Sequence, residues 1–330
     1  MRHLMVLLAA LGLISCSERP GDVAVAAKPE APRIPRIAVI PKGTAHVFWQ
    51  TVHAGAIAAA QQYRVEIAWK GPESETEFDK QRGIVEDYLN AGVSAIVLAP
   101  CDEPALVPII EAAAEAGKPV VIFDSLAKTE MYVSYVATDN YLGGVKAAEM
   151  MGKVLDGKGK VAVICVQPGG ASTTQRENGF KETLQKNFPG IQIVASKYGM
   201  SDRAKSMAAA EDILTANADL NAFFGPNESS TFGALMALQK HNKAKAIHLV
   251  GFDSSPELLK ALKEGEIDAL IVQNPFMMGF KAVEAAALAV QGWEVERRID
   301  TGVTAVTREN MDDPKIKEIL EPDIGKFLKQ

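Results

Sequence analysis

The sequence predicts an α/β protein made of two doubly wound parallel-sheet lobes joined by a multi-strand hinge. Short, continuously apolar runs rich in β-branched residues alternate with longer amphipathic stretches, and this alternation restarts after Thr138-Asp139-Asn140. Strands that are apolar on both faces belong to sheets covered by helices on both sides, with parallel pairing and right-handed crossovers. At 330 residues the chain is also long enough for two cores of ordinary size.

In the first half the predicted strands are 36–40, 65–69, 95–99 and 119–123, and in the second 160–164, 191–194, 222–224 and 247–250, each followed by a loop and a helical stretch. Helix punctuation agrees. Ser255-Pro256-Glu257 reads as a cap with proline in the first turn of a helix running to Gly265, and Ala91-Gly92 stops another. Met277-Met278 and the alanine-rich stretch 282–289 read as helix packing. His241 and His248 read as a solvated helix end and a strand residue.

Ahead of the first strand stand Arg2 and His3, an apolar run over 4–14, and Leu13-Ile14-Ser15-Cys16. That run is shorter than the roughly 20 apolar residues a membrane-crossing helix needs, so residues 1–15 read as a cleaved export signal. The pattern resembles the lipobox of bacterial lipoproteins, which implies acylation of Cys16 and a membrane tether over 16–35. A net charge of -6 lacks the basic footprint that a nucleic-acid partner requires. Cys101 and Cys165, the remaining two of three cysteines, fit neither a disulfide framework nor a metal site and are expected as buried free thiols.

Ligands of open parallel sheets lie off the carboxyl ends of the strands, which directs attention to the residues following each apolar run. Those are Lys42-Gly-Thr-Ala-His46-Val-Phe48-Trp49, Asp124-Ser125, Asn227-Glu228, Asp253-Ser254 and Gln273-Asn274. Planar carboxylates and amides engage neighbouring hydroxyls in pairs, and aromatic faces cover C–H surface, so the set suits a neutral polyhydroxylated ligand. Neither a GxGxxG nor a P-loop is present for phosphate.

The chain resembles a periplasmic sugar-binding protein of the ribose and galactose-binding type, the type I periplasmic binding proteins whose fold is shared with LacI-like effector domains. The likeness spans about residues 35–307 and rests on Phe48-Trp49, Asp124, Ala137-Thr-Asp139-Asn-Tyr-Leu-Gly-Gly144, Arg176-Glu-Asn-Gly-Phe180, Asn227-Glu228, Val250-Gly-Phe-Asp253 and Gln273. It implies a first lobe of residues 36–138 plus 274–301 and a second of 139–273 plus 302–330. It also implies Phe48 and Trp49 sandwiching a sugar ring, with His46 and Asp124 on the first lobe, Arg176, Asn227 and Asp253 closing from the second, and Gln273 at a crossover. Departures from the ribose-binding pattern are His46 and Ala99 in place of asparagines and Ser125 in place of an arginine, which changes the hydroxyl pattern that can be read.

Ordinary readings stand beside these. Asp124 and Asp253 are residue types that cap helices or close turns, Arg176 suits a surface ion pair, and His46 can simply order its loop. Adjacent Phe48 and Trp49 lie on different helix faces, so one can be core while the other meets ligand. The functional expectation is a monomeric receptor without cofactor or metal, anchored as a lipoprotein in the periplasm or at the cell surface. It closes on a monosaccharide and delivers it to an ABC importer's permease. The alternatives are a sensory receptor serving a chemoreceptor or sensor kinase, and a glycoside-acting enzyme built on a carboxylate pair.

Overall fold

The structure is a computed structural model and describes residues 34–44 and 46–328. The export signal over 1–15, Cys16 and the tether up to residue 33 lie outside the described residues. No helix among the described residues is long and apolar enough to cross a membrane.

The chain begins with β1 (Arg36–Ile40), α1 (Val47–Tyr63), β2 (Glu66–Trp69), α2 (Phe78–Asn90), β3 (Ala95–Leu98), α3 (Val107–Glu115), β4 (Val120–Phe123) and β5 (Ser134–Ala137). It then passes to α4 (Asn140–Val154), β6 (Lys158–Cys165), α5 (Ala171–Asn187), β7 (Gly190–Tyr198), α6 (Arg203–Ala216), β8 (Ala222–Phe224), α7 (Glu228–Lys240), β9 (His248–Phe252), α8 (Pro256–Glu264) and β10 (Ala269–Gln273). The last elements are α9 (Pro275–Val290), β11 (Arg298–Asp300), β12 (Val303–Val306), α10 (Pro314–Leu320) and α11 (Gly325–Leu328).

Two six-stranded sheets result, ordered β11-β5-β4-β3-β1-β2 and β12-β10-β9-β8-β6-β7. Side-chain alternation explains the layering: Ile37, Val39, Val97 and Phe123 pack under α1 and α9, while Ala38, Ile40, Leu98 and Ile122 face α2 and α3. The second sheet repeats the plan, with Val161, Val163 and Phe224 toward α4 and α5 and Ala162, Ile164 and Phe223 toward α6, α7 and α8. In both, the order reverses where the first strand of the lobe lies between the second and third, and that switch point is where open α/β sheets bind ligands.

The chain changes sheets at three places: β5 to α4, β10 to α9, and β11 to β12. The carboxyl ends of the two sheets face each other, so a strand leaving one at that end enters the other from the same end. β12 therefore pairs antiparallel with β10, the one antiparallel pairing among the described strands of two otherwise parallel sheets. Thr138 and Thr301 bring two of these connections together, and Arg298 donates to the carbonyls of Ala137 and Thr138.

Helices approach closely where glycines allow it. A Cβ on Gly55 or Gly279 would collide with backbone across the α1–α9 crossing, and one on Gly144 or Gly179 with backbone across α4–α5. Helix α8 has the expected cap: Ser255 accepts from Leu258 N, and Gly265 closes it at φ 75. Cys101 and Cys165 are buried free thiols, and burial pushes the Cys165 thiol up to about 12, leaving it without thiolate character at neutral pH.

Candidate functional site

All eight expected site residues line one narrow gap between the strand ends of the two sheets: His46, Phe48, Trp49, Asp124, Arg176, Asn227, Asp253 and Gln273. Lys42, Glu75, Ser172, Thr173 and Glu228 complete the lining; Lys42 and Glu228 lie in the strand-end stretches singled out by the sequence without a ligand role assigned to them, and the other three carried no expectation. The gap encloses about 20 Å³, enough for about one water, so a sugar ring needs the lobes to part.

On the first lobe a buried charge cluster dominates. Lys42 Nζ lies 2.9 Å from Asp124 Oδ2 and 3.9 Å from Glu75 Oε2, and all three residues are buried. Burial alone would depress the Lys42 ammonium, but the Asp124 and Glu75 carboxylates outweigh it and hold its pKa above the ordinary value. Burial likewise pushes Glu75 up, yet the Lys42 charge reverses this and keeps it low, helped by the Trp49 indole N–H donating to Oε1 at 2.9 Å. Lys42 also donates to Ser125 Oγ at 3.1 Å and, across the gap, to Ser172 Oγ at 3.2 Å. Gln167 spans the gap as well, donating to the carbonyls of Glu75 and Cys101.

Asp124 and Asp253 occupy matching places, each directly after the fourth strand of its lobe and each in left-handed backbone, at φ 58 and φ 66. Neither is the N-cap of the helix that follows it in sequence, although the Asp253 carboxylate meets the first N–H of α7; the left-handed turn carries each carboxylate off the strand end. Asp253 Oδ1 accepts from Gln273 Nε2 at 2.7 Å and Oδ2 from Glu228 N at 3.0 Å. Its carboxyl is raised by burial, and the nearby Arg176 charge opposes the shift only in part.

Arg176 is 2% exposed, so the surface ion-pair reading fails. Its guanidinium lies 4.0 Å from the centroid of the Phe252 ring and donates to Asn140 Oδ1 and the Pro226 carbonyl. Asn227 caps α7: its Oδ1 accepts from Ser230 N, and its Nδ2 donates to Ser201 Oγ. Gln273 leaves a buried Oε1 without a hydrogen-bond partner, an acceptor free for a hydroxyl. His46 sits with Nδ1 3.8 Å from Glu75 Oε1 and does not cap α1 with its side chain.

The aromatic pair departs from the expected sandwich. The Phe48 and Trp49 rings meet edge to face at 4.9 Å and 89°, so they cannot present parallel planes to the two sides of one sugar. Successive helical residues point about 100° apart, which forces this divergence. Trp49 is 2% exposed and packs edge-on against Phe123 in the first-lobe core, while Phe48 is half-buried at the gap. Ala99 and Ser125, which depart from the ribose-binding pattern, are both buried, and Ser125 meets Ser172 across the gap at 2.8 Å.

The signals missed in the sequence differ in kind. Lys42 stands two residues past β1, but a loop lysine ordinarily reads as solvated. Glu75 is one of three glutamates in the loop after β2, and only the tertiary fold singles it out. Among the described residues no group of three or more His, Cys, Asp or Glu is arranged to hold a metal ion.

This chain is similar in sequence or in shape to several known proteins. A D-ribose/D-allose-binding protein from Pseudomonas aeruginosa is 32% identical over 317 residues, covering 91% of this chain and 97% of that protein. A carbohydrate transporter solute binding protein from Agrobacterium radiobacter, solved with D-arabinose, superposes with a TM-score of 0.86 at 31% identity, covering 88% of this chain and 100% of that one. An ABC transporter solute binding protein from Agrobacterium vitis, solved with bound D-fucose, gives 0.84 at 37% identity, covering 87% and 100%. Residues 37–294 match the periplasmic binding protein domain family, and the chain belongs to that family.

Proposed function

We propose that this chain is an extracytoplasmic receptor that closes two lobes on a monosaccharide and delivers it to an ABC-type importer. The lobes are assigned as residues 36–138 plus 274–301 and 139–273 plus 302–330. The observation that carries the reading is the convergence, off the carboxyl ends of two facing sheets, of paired carboxylates, an arginine and amides. Each lobe supplies part of the set, so a sugar is held fully only when both touch it, and binding shifts the population toward the closed form. Relatives named for ribose, allose, arabinose and fucose support a sugar of five or six carbons.

Membership of this family implies a place outside the cytoplasm, and we infer that Cys16 carries the lipid anchor there. The receptor works as a monomer and without chemistry on its ligand. Both oxygens of Asp253 accept hydrogen bonds and Asp124 is ion-paired, which supports carboxylates fixed for recognition. Thermal-shift measurements against a panel of D-ribose, D-allose, D-arabinose, D-fucose and D-tagatose test the proposal. A ligand at 100 times its Kd adds about 2.7 kcal/mol of stability and raises Tm. No shift with any sugar at millimolar concentration, or turnover of a glycoside, overturns it.

A further inference from the structure

Beside the narrow gap lies a second cavity of about 540 Å³, and the two share Phe48, Asp253 and Gln273. Its walls are the start of α1, the turn after β9 with α8, the β10–α9 crossover, and the chain after β12. That last segment runs as a strap between the lobes. Met311, Ile316, Ile319 and Leu320 pack on the second-lobe core, while Phe327 meets Phe276 at the start of α9, ring centroids 5.6 Å apart. The strap follows residue 294, where the match to the family domain ends.

Size and chemistry indicate what fits. About 150 Å³ accommodates a benzene ring, and ligand pockets run from about 300 to 1,000 Å³. The lining includes the apolar side chains of Val47, Leu259, Met311, Leu320 and Ile324 and six charged residues, three lysines and three acids, that can stand at its rim. The partnerless Gln273 Oε1 belongs to a residue shared by both cavities, where a group bridging them would pass.

We propose that the single sugar unit this receptor closes on is carried as a glycoside: its sugar ring lies between the lobes and its apolar aglycone occupies this second cavity beneath the strap. The proposal rests on the sugar-binding reading and names the ligand class for the same site. An apolar ring buried there raises affinity by about tenfold or more. Calorimetric titration of the full chain compares each free sugar of the panel with its α- and β-p-nitrophenyl glycosides. At least one glycoside is expected to bind about tenfold or more tightly than its free sugar. Leu259→Trp, or Ile324→Trp should the first not fold, fills the cavity; glycoside affinity then falls to that of the free sugar, which itself stays within about twofold. Glycosides that bind no better than free sugars, or tryptophan variants that leave a glycoside preference intact, overturn the proposal alone. Absence of binding by every sugar and every glycoside overturns the sugar-binding reading along with it.

Discussion

Replacing Lys42 by methionine removes the only cation within 4 Å of the Asp124 carboxylate among the described residues, and strands Glu75 beside it. Breaking a buried ion pair from one side costs about 3–5 kcal/mol, because the remaining charge keeps its desolvation penalty and loses its partner. Here one ammonium serves two carboxylates and also donates to Ser125 and Ser172, so the upper half of that range is expected at pH 7. The pH dependence adds a signature. Glu75 is depressed below its ordinary 4.5, so its contribution is present above that value and lost as pH falls through the lower folded value. Lys42 is raised above 10.5, so its contribution is present below that value and lost as pH climbs through the higher folded one. The stability gap between wild type and Lys42→Met should therefore be widest between about pH 5 and 10 and shrink in acid. Adding Glu75→Gln to Lys42→Met should recover part of the loss, giving a non-additive double-mutant cycle. Urea denaturation followed by circular dichroism from pH 3.5 to 8 measures all of this. A loss under about 1 kcal/mol with no pH dependence would refute the coupled charge cluster.

Asp253→Asn should stabilise the unliganded protein at pH 7 by about 0.5–2 kcal/mol while weakening sugar binding, since it removes a buried charge whose carboxyl is already raised and the Gln273 amide, turned over, offers its partnerless Oε1 to the new Nδ2. The sign follows from linkage: a raised carboxyl destabilises the fold increasingly as pH rises through it, so the advantage of Asn in thermal melts should fade in acid. Gly144→Ala drives a methyl into the carbonyl of Arg176; about 1–3 kcal/mol of stability and part of the ligand affinity should go together, whereas an unchanged melt would mean the α4–α5 contact is loose. Trp49→Phe removes the indole bond to Glu75 and should cost about 1–2 kcal/mol in urea melts, with a smaller effect on sugar affinity than Phe48→Ala. The reverse order of affinities would restore Trp49 as the main stacking surface.

Much of the architecture was legible because parallel strands buried on both faces write themselves as continuous apolar runs, as in Ile37 to Ile40 and Val120 to Phe123. The strand ends then pointed to Asp124, Asp253 and Gln273 without any knowledge of contacts. Direction of pairing was not legible: nothing in Val303 to Val306 marks it as antiparallel, since that follows from which end of the sheet the chain enters. Burial of Lys42 was hidden for a similar reason. Its partners Asp124 and Ser172 lie far away in sequence, so no local pattern distinguishes it from a solvated lysine. The aromatic pair shows the limit of matching by position, because the side-chain geometry of neighbouring helical residues separates Trp49 into the core from Phe48 at the gap.

Calorimetric titration of wild type, Asp124→Asn and Asp253→Asn with the sugar giving the largest thermal shift addresses the two-lobed grip most directly. Each substitution, on a different lobe, should weaken binding by about 30-fold or more while the protein still melts cooperatively. Full affinity retained by either folded variant would mean that only one lobe holds the sugar.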